Sequence, residues 1–88
     1  MILVTHVPPY GTKLDKIGNS KSIGSTAVRS IIEKKQPLVA ISGHVHESRA
    51  IDSIGKTHLL NPGALKNGYY GILKLDQNDI NIKLKEID

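Results

Sequence analysis

The sequence predicts an α/β fold, a mixed sheet holding one βαβ crossover followed by a β-meander, and three patterns carry that prediction. Ile2-Leu3-Val4-Thr5 and Leu38-Val39-Ala40-Ile41 are continuous apolar runs, the pattern of strands buried on both faces of a parallel sheet. Between them Val28, Ile31 and Ile32 form a stripe at helical spacing. Beyond Gly43 the apolar residues fall into short segments set around turns.

The first run is broken by His6-Val7-Pro8-Pro9-Tyr10-Gly11, since two prolines in series remove donors and fix the backbone. Residues 12–24 are polar and glycine-containing, the pattern of a long loop. A helix is expected from Ser25, a good N-cap; Lys34-Lys35 suit the negative end of its dipole, and Pro37 stops it. The second run then makes strand, helix, strand, which implies a right-handed parallel crossover. Ala50–Ile54 and Thr57–Leu60 flank Gly55-Lys56, a two-residue hairpin turn. Tyr69–Leu75 and Ile80–Ile87 flank Asp76-Gln77-Asn78-Asp79, and Ile80, Ile82 and Leu84 alternate with Asn81, Lys83 and Lys85.

The length of 88 residues allows one small domain, which buries only roughly 60% of the surface its unfolded chain exposes. Two doubly buried strands with a single helix to cover them are out of proportion. Another copy or another polypeptide is expected to supply the cover, so a homodimer or a separate N-terminal-half chain is the expected partner. The first strand opens with no leading turn, and the chain reads as part of something larger.

The absence of cysteine excludes disulfides and thiolate zinc sites. The apolar stretch after Met1 is too short for a signal core or a membrane span, so a soluble cytoplasmic protein without a membrane partner is the expectation. The net charge of +4 suggests a polyanion, yet Lys34-Lys35 is the only adjacent basic pair and the aromatic rings are three tyrosines. Ordinary solvation is the simpler reading, and nucleic acid is not an expected partner. Gly55-Lys56-Thr57 copies the end of a phosphate loop, but it sits in a strand–turn–strand context without the earlier glycine.

Chemistry concentrates at the strand ends. His6 follows the first buried run, and Gly43-His44-Val45-His46 follows the second. Ligands of open α/β sheets gather beyond the carboxyl ends of parallel strands, so the three imidazoles should meet at one edge. Imidazole is the commonest metal ligand, Gly43 permits a sharp turn, and Asn61-Pro62-Gly63 follows a later strand toward the same rim. Glu47 beside His46 has two readings, orienting an imidazole or making a rim salt bridge. Arg49 and Lys56 read as solvated strand-end charges.

Thr5-His6-Val7-Pro8-Pro9, then Ser42-Gly43-His44-Val45-His46-Glu47, then Asn61-Pro62-Gly63 resemble the last motifs of the calcineurin-like metallophosphoesterases. Gly24-Ser25, Arg29, Glu33 and Pro37 also suit a small archaeal or bacterial branch of that group. The resemblance runs over nearly the whole chain. It implies that residues 1–88 are the C-terminal portion of a four-layer αββα sandwich. It implies His6 and His44 as ligands of one divalent ion and His46 as ligand of another, with Gly43, Glu47, Asn61 and Gly63 around them. Manganese, iron or zinc would suit such a site, and phosphate mono- or diesters would be the substrate.

The family's earlier Asp-x-His, Gly-Asp and Gly-Asn-His motifs do not occur. Asp15, Asp52, Asp76, Asp79 and Asp88 lie in other contexts, leaving three neutral ligands and an incomplete site. The expectation is a metallophosphoesterase fragment or split subunit, a hydrolase by family and inactive without its other half. No catalytic side chain is assigned in this chain. The alternative is a non-catalytic, self-associating remnant that holds at most one metal ion.

Overall fold

The computed structural model describes residues 2–18, 21–45, 48–76 and 79–87. Strand β1 (Ile2–Thr5) leads through a loop holding the short ribbon β2 (Lys16–Ile17) and β3 (Lys21–Ser22) into helix α1 (Thr26–Lys35). Then come β4 (Val39–Ser42), β5 (Ala50–Ile54), β6 (Thr57–Asn61), a short 3-10 turn (Leu65–Asn67), β7 (Tyr69–Leu75) and β8 (Ile80–Glu86).

The main sheet runs β1-β4-β6-β5, with β1 and β6 parallel to β4 and β5 antiparallel to β6. The expected βαβ unit is therefore present. The meander takes the form of two hairpins in different sheets: β5–β6 joins the main sheet through β6, and β7–β8 forms its own. Gly55 opens the tight β5–β6 turn at φ 58°, a backbone that a side chain would strain. Beyond Pro62, the chain leaves the main sheet rather than adding a strand to it.

Helix α1 begins where its cap is. Ser25 stands in extended conformation and its hydroxyl accepts from the Val28 N–H. The helix ends at Gln36, in the left-handed region at φ 43°, whose N–H donates to Ile32 O. Ile32 is fully buried with Leu14, Ala40, Ile54 and Leu59, and Val28 packs against this cluster. Ile31 departs from the expected stripe and is 50% exposed, because the core contact is narrower than three helical residues. Arg29 and Glu33 pair along the helix at 3.1 Å.

The other face of the sheet explains a second departure. Val39 and Leu60 are covered, and the backbone of Gly71 in β7 lies close over Leu60 and Pro62. That cover stops short of β1, where Ile2 is 44% and Val4 71% exposed. So β4 meets the expectation of a doubly covered strand, while β1, at the sheet edge, is covered on one face. Leu38, expected in the second strand, lies just outside it and is exposed. Among the described residues, no helix is long and apolar enough to cross a membrane.

Candidate metal centre

Strands β1 and β4 run side by side in register, Thr5 beside Ser42, so both chains emerge from the sheet at one edge. Pairing continues one step past the strands, with the Gly43 N–H donating to His6 O at 3.3 Å. The Thr5 hydroxyl donates to Val7 O at 2.9 Å, which turns the segment after His6 away toward the buried Pro8 and Pro9.

The sharp turn expected at Gly43 falls on its neighbour. His44 has φ 63°, and the Val45 N–H donates to Gly43 O at 2.7 Å across it, a γ-turn of the positive-φ kind. That backbone is strained for any residue with a Cβ. Strain of this type persists where surrounding structure imposes it, commonly at ligand sites.

The strained turn places the His44 ring 4.8 Å from the His6 ring, centroid to centroid, with planes at 57°. Two imidazoles on one ion, each with its nitrogen roughly 2.0–2.1 Å from the metal, would have ring centres roughly 4.5–5 Å apart. Both side chains are exposed, so solvent ions can reach them. Directly before this loop, the buried Ser42 hydroxyl has no hydrogen-bond partner among the described residues. Spacing, donor type and access all fit a divalent cation.

Among the described residues, no third His, Asp or Glu joins this pair. His46 and Glu47, the expected third ligand and its neighbour, lie outside the described residues. Asp52 accepts from the Lys13 and Ser53 N–H groups. Asp76 and Asp79 close the turn of the β7–β8 hairpin.

Asn61 reaches the same region from beneath rather than from the rim. It is 1% exposed, and its Nδ2 lies 2.9 Å from Val45 O, 3.0 Å from Ser48 O and 3.3 Å from Leu14 O. One amide group thus ties both ends of the histidine loop to the loop after Pro9. Its Oδ1 accepts from the Gly63 N–H at 3.1 Å. Gly63, at φ 84°, packs so tightly that a Cβ there would lie 2.9 Å from Arg49 Cδ. Asn61 therefore braces the loop that carries His44, and the Gly63 N–H holds Asn61.

Two residues escaped the sequence reading. Asp15 is fully buried, and its carboxylate accepts from the Gly11, Thr12 and Gly24 N–H groups at 2.9–3.0 Å. It folds the segment expected to be a plain loop, and Gly24 admits the contact because a Cβ would press on Pro8 O. A single acid among small residues gives no distinct signal for this. Arg49, expected to be solvated, lies over the Tyr69 ring at 4.6 Å and donates to Pro62 O and Lys85 O. Its planar group finds an aromatic face and free carbonyls at the loop's exit.

A family model described as metallophosphoesterase, calcineurin superfamily, matches residues 1–85. The chain belongs to that family. An uncharacterized protein of Methanocaldococcus jannaschii is 44% identical over 66 residues, covering 70% of this chain and 30% of that protein. A UPF0046 protein of Caenorhabditis elegans is 36% identical over 67 residues, covering 76% of this chain and 22% of its own length. A solved crystal structure superposes with a TM-score of 0.78 at 31% identity, covering 99% of this chain and 33% of that one. The chain thus spans a third or less of the length of each of these relatives.

Proposed function

We propose that this chain supplies the imidazole part of a divalent-metal phosphoesterase centre whose carboxylate ligands come from a complementary polypeptide. The observation that carries the reading is the His6–His44 pair, brought to 4.8 Å at the carboxyl edge of two parallel strands. His6 and His44 would hold one ion, and His46 another. Bound cations of this kind polarise a phosphoryl group and activate water for in-line attack. Manganese, iron or zinc suits imidazole and carboxylate together.

What the chain's own residues do is positional. The γ-turn at His44 fixes the imidazole relative to His6, and Asn61 holds the loop that carries it. Among the described residues no carboxylate joins the pair, so none of them supplies the negative charge that would hold two dications together.

Two measurements test the reading. Zinc or manganese should raise the melting temperature of the chain, and His6→Ala or His44→Ala should remove that response. No shift in the parent, or the same shift in both variants, would sink the metal assignment. With a chromogenic phosphodiester and manganese, the isolated chain should turn over little or nothing. Robust turnover abolished by His44→Ala would instead require a complete site built by self-assembly.

That self-assembly is the second reading, and the uncovered edge favours it. Val4 is 71% exposed on an edge strand whose free backbone groups invite pairing. A twofold homodimer would close this edge. Sedimentation at micromolar concentration checks it: a well-dispersed monomer with a cooperative melt would dismiss both the dimer and the need for a covering partner.

A further inference from the structure

The histidine loop runs from Gly43 to Arg49 and is pinned unevenly. At its entry the Gly43 N–H donates to His6 O at 3.3 Å. In its middle, Asn61 Nδ2 has two hydrogens for three carbonyls, those of Leu14, Val45 and Ser48, so its hold on the loop is shared. At its exit, just before β5, stands Arg49, whose side chain reaches to the β7–β8 hairpin.

The grip suits a guanidinium and no other side chain. Nε donates to Pro62 O at 3.3 Å, Nη2 donates to Lys85 O at 2.8 Å, and the planar group lies 4.6 Å from the centre of the Tyr69 ring. Gly63 leaves room for the stem, since a Cβ there would come within 2.9 Å of Arg49 Cδ and 3.0 Å of Tyr69 Cβ. The segment after β6 and both strands of the hairpin thus converge on one side chain. A lysine cannot hold two donors in a fixed fork or stack flat on a ring. A charge placed only for solvation gives no reason for such convergence.

We propose that Arg49 is a positioning residue for the metal centre, fixing the exit of the loop so that His44 stays opposite His6. This rests on the reading of those two histidines as metal ligands. The link is the strained γ-turn at His44, φ 63°, since such a backbone persists only where the surroundings impose it. Freed at its exit, the loop relaxes toward an unstrained backbone and carries the imidazole away from its 4.8 Å pairing with His6. The charge of Arg49 works the other way, because a cation near a dication repels it. Geometry and electrostatics therefore predict opposite signs when Arg49 is removed.

The test is the zinc affinity of the full chain, measured by calorimetry at neutral pH and well below the melting temperature. Arg49→Ala should weaken zinc binding about tenfold, the lower end of what partners behind metal ligands contribute. Arg49→Lys keeps the charge and loses the fork, so it should lose most of that affinity too. Tyr69→Leu removes the ring alone and should weaken binding about threefold, which keeps the proposal falsifiable should Arg49→Ala misfold. Ile32→Val lowers stability in the core beneath α1 and touches none of these groups, so its zinc affinity should match the parent's.

Zinc binding by Arg49→Ala as tight as the parent's, or tighter, would overturn the proposal and leave the metal reading standing, since the like charge alone would then have mattered. Full affinity in Arg49→Lys would defeat it too, as would a loss in Ile32→Val equal to that in Arg49→Ala. Parent binding that is absent, or indifferent to His6→Ala and His44→Ala, would bring down the proposal and the metal reading together.

Discussion

Two polar clusters lie within a few residues of each other at the sheet edge, and they are built in opposite ways. Asn61 and Asp15 are buried, and each satisfies several backbone groups at once. His6 and His44 are exposed, face each other at 4.8 Å, and rest on a strained backbone. The buried cluster makes one loop shape lower in energy than its alternatives. The exposed cluster raises the energy slightly and leaves nitrogen donors free. The first arrangement supports a fold and the second awaits a ligand, so stability and binding should respond to different substitutions.

The largest expected loss is at Asn61. In Asn61→Ala the carbonyls of Leu14, Val45 and Ser48 and the Gly63 N–H lose a shared partner inside the protein. The expected loss is about 3 kcal/mol, since buried groups left unpaired each cost about 1–3 kcal/mol. For a domain of this size that lowers Tm by roughly 12–24 °C. A drop of only a few degrees would mean that the loop holds itself, and the contrast between the clusters would fail.

Asp15→Asn should cost less, about 2 kcal/mol, because the amide keeps the shape and one acceptor but turns an NH2 toward backbone donors. Chemical denaturation at neutral pH measures it. An unchanged midpoint would show that the loop from Gly11 to Gly24 is held by Leu14 packing instead.

The same contrast explains what could be read in advance. Strands, helix cap and hairpin turns were legible because each rests on local rules: β-branched runs, Ser25 before an apolar stripe, glycine between paired segments. The His6 and His44 positions were legible because strand ends are defined by those same rules. The exposure of Val4 and Ile31 was not, since it depends on how far the β7–β8 hairpin reaches over the sheet and how wide the helix contact is. Asp15 and Arg49 were misjudged for a related reason. Their partners are backbone groups and a ring brought near by tertiary packing, and residue type alone does not announce them.

The smallest effect on stability belongs to His44→Gly, and its sign separates the two clusters most cleanly. Glycine occupies positive φ without the clash of a Cβ, which relieves about 1–2 kcal/mol at φ 63°. Against that, glycine gives the unfolded chain more freedom, which costs about 0.5–1 kcal/mol. The exposed ring gives up little packing when removed. The variant should therefore melt at or slightly above the parent temperature in EDTA. In zinc the order should reverse. A ligand at 100 times its Kd stabilises the native state by about 2.7 kcal/mol, so the parent gains that increment while the variant, with one imidazole gone, gains little. A variant that melts well below the parent without metal would place His44 among the structural residues. One that keeps the full zinc response would remove it from the centre.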